Sequence, residues 1–104
     1  MSIRKIKSMK VGPVKYKMLH VDIPAEGDKT FLGRIYYDKA EIHVAKSMVE
    51  QPAMFTIMHE FFHGLCHLYG IGKHTENQID ALSLGVIEFI QNNPQLVKTI
   101  QELK

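Results

Sequence analysis

The sequence predicts a small α+β domain in which an antiparallel N-terminal sheet packs against helices from the second half of the chain. In the first half, apolar residues alternate with polar ones, as in strands with one solvent-facing side. In the second half they recur every three or four positions, as in helices. Strands followed by helices are typical of α+β proteins. A chain of 104 residues is long enough for one core, so we expect a single domain over 1–104.

Composition narrows the kind of site that the domain can carry. No apolar run approaches the ~18 residues that span a bilayer, and no apolar segment follows the N-terminal charges, so we expect a cytoplasmic protein without membrane contact. Cys66 is the only cysteine, which excludes a disulfide framework and a cysteine-based zinc site. Any metal must therefore be held by histidines and carboxylates, a donor set that favours catalytic over structural zinc.

Basic residues are concentrated at the N-terminal end, where six of them precede the first acidic residue: Arg4, Lys5, Lys7, Lys10, Lys15 and Lys17. Such a cluster binds nucleic acid or an acidic partner in some proteins, and in others it is the solvated face of an edge strand. No aromatic residues interleave with these cations and no helix-turn-helix pattern is present, so we expect the solvated strand and no nucleic-acid binding.

Three strands are predicted before residue 46. Gly12-Pro13 marks a turn or the start of a strand, and the alternation over 14–18 indicates a strand that exposes Lys15 and Lys17. A loop is expected over 24–29. A hairpin follows, with strands over 31–37 and 41–45 and a turn at 38–40. In its second strand Ile42 and Val44 should face the core while Glu41 and His43 face outward.

The next segment is predicted to be a long amphipathic helix. Pro52 suits its first turn, although 47–50 offers an alternative start as a capping box. The glycines of 70–72 can end it in left-handed geometry. Its buried stripe should consist of Met54, Met58, Phe61, Phe62, Leu65 and Leu68.

Two further helices are predicted. Thr75 and Gln78 form a capping box that starts the first of them. Asn93 should cap the second, with Pro94 in its first position. The core face of the longer helix should consist of Ile79, Leu82, Val86, Phe89 and Ile90.

The motif His59-Glu60-x-x-His63 lies inside the first long helix. Residues four apart on a helix are offset by about 40° and about 6 Å, so both imidazoles can reach one tetrahedral Zn²⁺. Glu60 points partly away from that ion, which suits it to act as general base on a water molecule rather than as a ligand. Five letters with three specified also occur by chance, and a histidine on such a helix is often a core residue.

A third ligand is needed, and the residues alone leave it open. Glu76 and Asp80 lie one turn apart on the helix that folds back on the motif helix, so one can bind Zn²⁺ while the other orients a ligand imidazole. Glu76 at a helix N-terminus is also favourable without any metal. His67 and His74 are nearby candidates for the cleft. With Tyr69 they are the candidates for stabilising an oxyanion.

With the hairpin, the His59–His63 helix and the carboxylate helix in this order, the chain resembles the ImmA/IrrE family of zincin-like metallopeptidases, most of all its short phage-associated members. The matching features run from 33–37 through 42–44 and the motif helix. They continue into Glu76-x-x-Ile79-Asp80-x-Leu82-Ser83 and Asn93-Pro94, so that about two-thirds of the chain is covered.

The resemblance implies a minimal zincin-like domain with a zinc site of two histidines and a downstream acid, and the glutamate of the motif as base. For some members it also implies cleavage of a repressor. The alignment of Glu76 and Asp80 with the family's acid pattern favours Glu76 as the third ligand. It leaves Asp80 as an alternative ligand or as a residue that orients a ligand. Ile79 departs from the family pattern, which has a small residue there.

We therefore expect zinc-dependent hydrolysis of peptide bonds in a protein or peptide such as a repressor. His59, His63 and Glu76 would be the ligands and Glu60 the base. An extended substrate would add as a strand to the free edge of the hairpin, near 42–45. The competing interpretation is a zinc-containing binding or regulatory module of a phage or mobile element that does not cleave its partner.

Overall fold

A computed structural model of the protein describes residues 3–22, 32–48 and 50–103. The predicted loop over 24–29, Phe31 of the predicted hairpin and residue 49 of the alternative capping box lie outside them. The fold is α+β, as predicted. After a 3₁₀ helix, Ile3–Lys5, its elements in chain order are β1 Ser8–Val11, β2 Val14–Val21, β3 Gly33–Tyr36, β4 Glu41–Ala45, α1 Glu50–Leu68, α2 Glu76–Asn92 and α3 Pro94–Glu102.

The four strands form one mixed sheet in the order β1-β2-β4-β3. β1 pairs antiparallel with β2, and β3 with β4, but β2 and β4 are parallel, with Met18 opposite Ile42. The prediction of an antiparallel sheet is thus wrong at the central pair, because alternation along a strand carries no information about its neighbours. The expected substrate strand over 42–45 is wrong for the same reason: β4 is internal, and β3 is the edge strand beside it among the residues that the structure describes.

The core lies between the inner face of this sheet and α1. Tyr16, Met18, Ile42 and Val44 are buried there, which confirms the predicted alternation. Lys15 and Lys17 on the other face are exposed, as expected. They belong to the inner strand β2, however, and not to the edge strand.

The most buried line of α1 differs from the predicted stripe. It runs through Ala53, Ile57, Glu60 and Gly64, while the larger predicted residues flank it and are half-buried. A β-carbon placed on Gly64 would lie 3.2 Å from a methyl of Val11. Small residues therefore occupy the line of closest approach between helix and sheet, and apolar periodicity weighted by side-chain size misses them.

The predicted helix ends are mostly confirmed. Gly70 has a φ of +68°, and the Ile71 N–H donates to the Cys66 carbonyl, which is a Schellman motif. At the start of α2, Thr75 and Gln78 exchange hydrogen bonds of 2.8 and 3.1 Å. Asn93 is the exception: its amide donates to the Phe89 carbonyl and makes no cap for α3, although Pro94 takes the first position.

α2 packs against α1, and its two buried residues, Ile79 and Ser83, lie in its N-terminal half. The predicted core face is wrong for Leu82, Phe89 and Ile90, whose exposed fractions are 51%, 41% and 44%. The reason is that neither α1 nor the sheet covers these three side chains. Within the described residues, no helix combines the length and apolar character that a bilayer span requires.

Candidate metal centre

Two histidines and one carboxylate converge at the contact between α1 and α2. The Nε2 atoms of His59 and His63 are 3.1 Å apart, and Oε2 of Glu76 lies 3.0 Å from the first and 3.3 Å from the second. Tetrahedral ligands held at about 2 Å from zinc are roughly 3.3 Å from one another. The three atoms therefore form a group that could hold a metal ion.

The local structure of the α1–α2 connection brings Glu76 to the histidines. The Schellman turn at Gly70 ends α1, and the capping box at Thr75 fixes the first turn of α2. Glu76 is the first residue of that helix, and its side chain is 68% exposed, so it reaches the imidazoles from the solvent side. The His59 and His63 side chains are only 19% and 20% exposed. The group thus has a protected side and an open side.

Asp80 contacts the other nitrogen of His59. Its Oδ1 lies 2.9 Å from Nδ1, where the carboxylate can accept an Nδ1–H, and the Nε2 atom of the same ring faces Glu76 and His63. A carboxylate in this position fixes the tautomer and orientation of the ring. Asp80 is thus brought to the ring from behind and is not one of the three converging donors.

Glu60 is buried on the sheet side of α1, with 6% of its surface exposed. Its carboxylate accepts a hydrogen bond from the backbone N–H of Ile35 in β3. Burial raises the pKa of Glu60 from 4.5 to about 7, against the opposing effects of His59, Arg34 and the Ile35 amide. Burial also lowers the pKa of His63, which keeps this imidazole neutral and able to donate a lone pair at neutral pH.

These residues line one cleft of about 580 Å³ that runs along β3, the edge strand of the described sheet. All five site residues predicted from the sequence are in its wall: His59, Glu60, His63, Glu76 and Asp80. The other wall is formed by β3 and the residues next to it, namely Leu32, Gly33, Arg34, Ile35 and Tyr37.

Tyr37 is a cleft residue that the sequence reasoning missed. Its hydroxyl donates to the His63 carbonyl over 3.2 Å, and its ring stacks on His67 at 3.9 Å between centroids. Burial, and then the nearby Glu60, raise the pKa of Tyr37, so the phenol stays protonated. The only signal for it was an aromatic residue at the end of the first hairpin strand.

The other candidates named from the sequence lie outside the converging group. His67 stacks on Tyr37, and Tyr69 is exposed with its hydroxyl near Gly12, away from the cleft. His74 has its ring 5.4 Å from that of His63, and its Nδ1–H donates to the Gly72 carbonyl. It is the one remaining candidate close to the site.

No family model matches this chain, and comparison with curated proteins and with solved structures likewise found no match.

Proposed function

We propose that this chain is a zinc-dependent metallopeptidase of the ImmA/IrrE-like zincin type, acting in the cytoplasm on a protein or peptide. The observation that carries the proposal is the convergence of His59, His63 and Glu76 in a cleft that also contains a buried glutamate. Two imidazoles and a carboxylate are a donor set of catalytic zinc sites, which keep one coordination position open. The exposed side of this group supplies the access that such a position needs.

The chemistry of the neighbouring residues supports zinc. Asp80 can accept a hydrogen bond from Nδ1–H of His59, which leaves Nε2 as the nitrogen of that ring for a metal. The lowered pKa of His63 favours the same form in the second ligand. Within the described residues no cysteine lies in the group, so a closed thiolate site is excluded there.

Hydrolysis needs a base beside the metal, and Glu60 is the residue in the cleft that can serve. A zinc ion in this position supplies Lewis acidity, which makes water more acidic and polarises a carbonyl oxygen. Glu60 takes the proton of the attacking water as the new C–O bond forms. It then passes that proton to the leaving amine as the C–N bond breaks. The hydrogen bond from Ile35 holds its carboxylate at the β3 edge during both transfers.

The free edge of β3 supports an extended peptide as substrate. Leu32 and Ala45 form a hydrogen-bonded pair, so in this register Gly33 and Ile35 turn their backbone groups toward the open edge. Glu60 uses the Ile35 N–H, which leaves both polar groups of Gly33 and the carbonyl of Ile35 for a substrate strand. A peptide bound there would lie against the converging donors.

The substrate class within this proposal is a regulatory protein, such as a repressor, with an exposed extended segment. It rests on the resemblance to phage-associated members of the family. The cleft itself selects for an extended backbone next to the edge of β3, which any unfolded or flexible segment provides.

The test is zinc content measured together with cleavage of a peptide library by mass spectrometry. We expect stoichiometric zinc and cleavage in the wild type. The Glu60→Gln variant should keep zinc and lose roughly 10²–10⁴-fold in rate, and Asp80→Asn should bind zinc about 10–100-fold more weakly. Glu76→Gln should lose most of the zinc, whereas Glu88→Gln, on the same helix away from the site, should match the wild type.

Two other outcomes have definite meanings. Stoichiometric zinc without cleavage of any peptide would favour the binding or regulatory module. A wild-type protein that takes up no zinc after reconstitution would refute the metal centre, and with it the peptidase.

A further inference from the structure

We infer that the protein associates with a second copy of itself through an apolar surface on α2 and α3. This helical surface consists of six residues that are between 41% and 70% exposed: Leu82, Phe89, Ile90, Leu96, Ile100 and Leu103. The inference does not depend on the proposed peptidase activity.

The six residues follow helical periodicity. On α2, Leu82, Phe89 and Ile90 continue the stripe that begins with the buried Ile79. On α3, Leu96 and Ile100 lie one turn apart, and Leu103 follows next to the end of that helix. Single exposed apolar residues are ordinary, but exposed apolar stripes on two successive helices are typical of an interaction surface.

α3 has little packing within the described chain: it contacts α2, and Val97 is only partly buried. It has nine residues and none of them is buried. Isolated helices shorter than about 12–15 residues are marginal in water, and most helical stability comes from packing an apolar face. We therefore expect a partner that covers Leu96 and Ile100 to stabilise α3.

The area fits a second copy. Each of the six side chains exposes roughly 100 Å² of largely apolar surface, so the α2 and α3 stripes together offer about 600 Å² per copy. Two copies in contact would bury about 1,200 Å² before any polar rim is added, which reaches the lower end of specific interfaces.

The charge pattern also favours a second copy over a partner of opposite charge. Between residues 81 and 101 the only charged residues are Glu88 and Lys98. A two-fold contact places a surface against itself, so a surface with almost no charge avoids like-charge repulsion. The exposed lysines Lys15 and Lys17 lie on the outer face of the sheet and add no charge to the helical surface. The polar residues beside the apolar stripe are uncharged amides, including Gln91, Asn92, Gln95 and Gln101.

The experiment is sedimentation velocity on the whole chain over a range of concentrations, with two matched variants. Ile100→Glu places a charge on the helical surface, and Ile71→Glu places the same charge in the α1–α2 turn; the two isoleucines are 56% and 54% exposed. We expect dimers for the wild type and for Ile71→Glu. Ile100→Glu should raise the dimer dissociation constant by about tenfold or more.

A third variant, Phe89→Ser, should weaken the dimer through the α2 half of the surface. Circular dichroism would verify that each variant keeps the helical content of the wild type. A wild type that remains monomeric at about 100 μM, well above ordinary dimer dissociation constants, would overturn the inference. A dimer that Ile100→Glu and Phe89→Ser leave as tight as the wild type would overturn it as well.

Discussion

Two carboxylates one turn apart on α2 contact different nitrogens of His59. Glu76 lies at Nε2, where His63 also points, and Asp80 lies at Nδ1. The spacing in the sequence made both acids candidates for the same role. Only the orientation of the imidazole ring distinguishes the two acids. That orientation is fixed by packing between α1 and α2, which the spacing of residues in the sequence does not describe.

The buried carboxylate of Glu60 gives a prediction about stability and pH in the metal-free protein. Its pKa rises from 4.5 to about 7 on folding, so the folded protein holds this proton more tightly than the unfolded chain. The Glu60 contribution is most favourable below about pH 4.5 and declines as pH rises toward 7. Glu60→Gln, which cannot ionise, should therefore be more stable than the wild type above pH 7, by roughly 3 kcal/mol at most.

The measurement is urea unfolding of metal-free wild type and Glu60→Gln at about pH 4 and about pH 8. The stability difference between the two proteins should be larger at the higher pH. Glu88→Gln changes an exposed acid and serves as the control, with a difference that should not move. An equal difference for Glu60→Gln at both pH values would mean that folding does not perturb this carboxyl.

At the scale of elements, the contact between β3 and α1 sets the width of the cleft, and Gly33 permits it. A β-carbon placed on Gly33 would lie 2.4 Å from the Thr56 methyl and 3.5 Å from Oε2 of Glu60. Gly33→Ala should therefore push β3 away from α1 and cost about 1–3 kcal/mol of unfolding free energy. Thermal or urea unfolding would measure the loss.

A second substitution can test the steric cause. Thr56→Ser removes the clashing methyl and keeps the hydroxyl, so Gly33→Ala combined with Thr56→Ser should recover most of the lost stability. Gly85→Ala is the matched control, because a β-carbon there meets no atom within 4 Å. It should stabilise α2 by about 0.5–1 kcal/mol. Without recovery in the double variant, the cost would have to lie in the backbone of β3.

The elements that the sequence predicted well are those with local causes. The capping box at Thr75, the turn at Gly70 and the hairpin of β3 and β4 each depend on a few neighbouring residues. The parallel pairing of β2 with β4 could not be predicted, since it joins strands distant in sequence. The apolar stripe of α2 was recognised as apolar, but periodicity does not say whether the same chain covers it.

For the whole molecule, the candidate metal centre joins two parts that contribute unequally to the buried residues. The sheet and α1 share the buried core, whereas α2 adds only Ile79 and Ser83 to the buried residues and α3 adds none. His59 and His63 belong to the first part and Glu76 to the second. A metal bound by all three would therefore tie α2 to the core more strongly than its own packing does.

Zinc removal should accordingly loosen one part of the molecule and spare the other. Backbone amides of α2 and α3 should exchange hydrogen faster after chelation, while those of β2, β4 and the buried side of α1 keep their protection. Zinc at 100 times its dissociation constant should add about 2.7 kcal/mol to stability. Hydrogen exchange with mass spectrometry would resolve the two parts. In Glu76→Gln, where the link from α2 is missing, zinc should change the exchange of α2 little. Faster exchange throughout the core on chelation would instead show that the metal holds the entire fold.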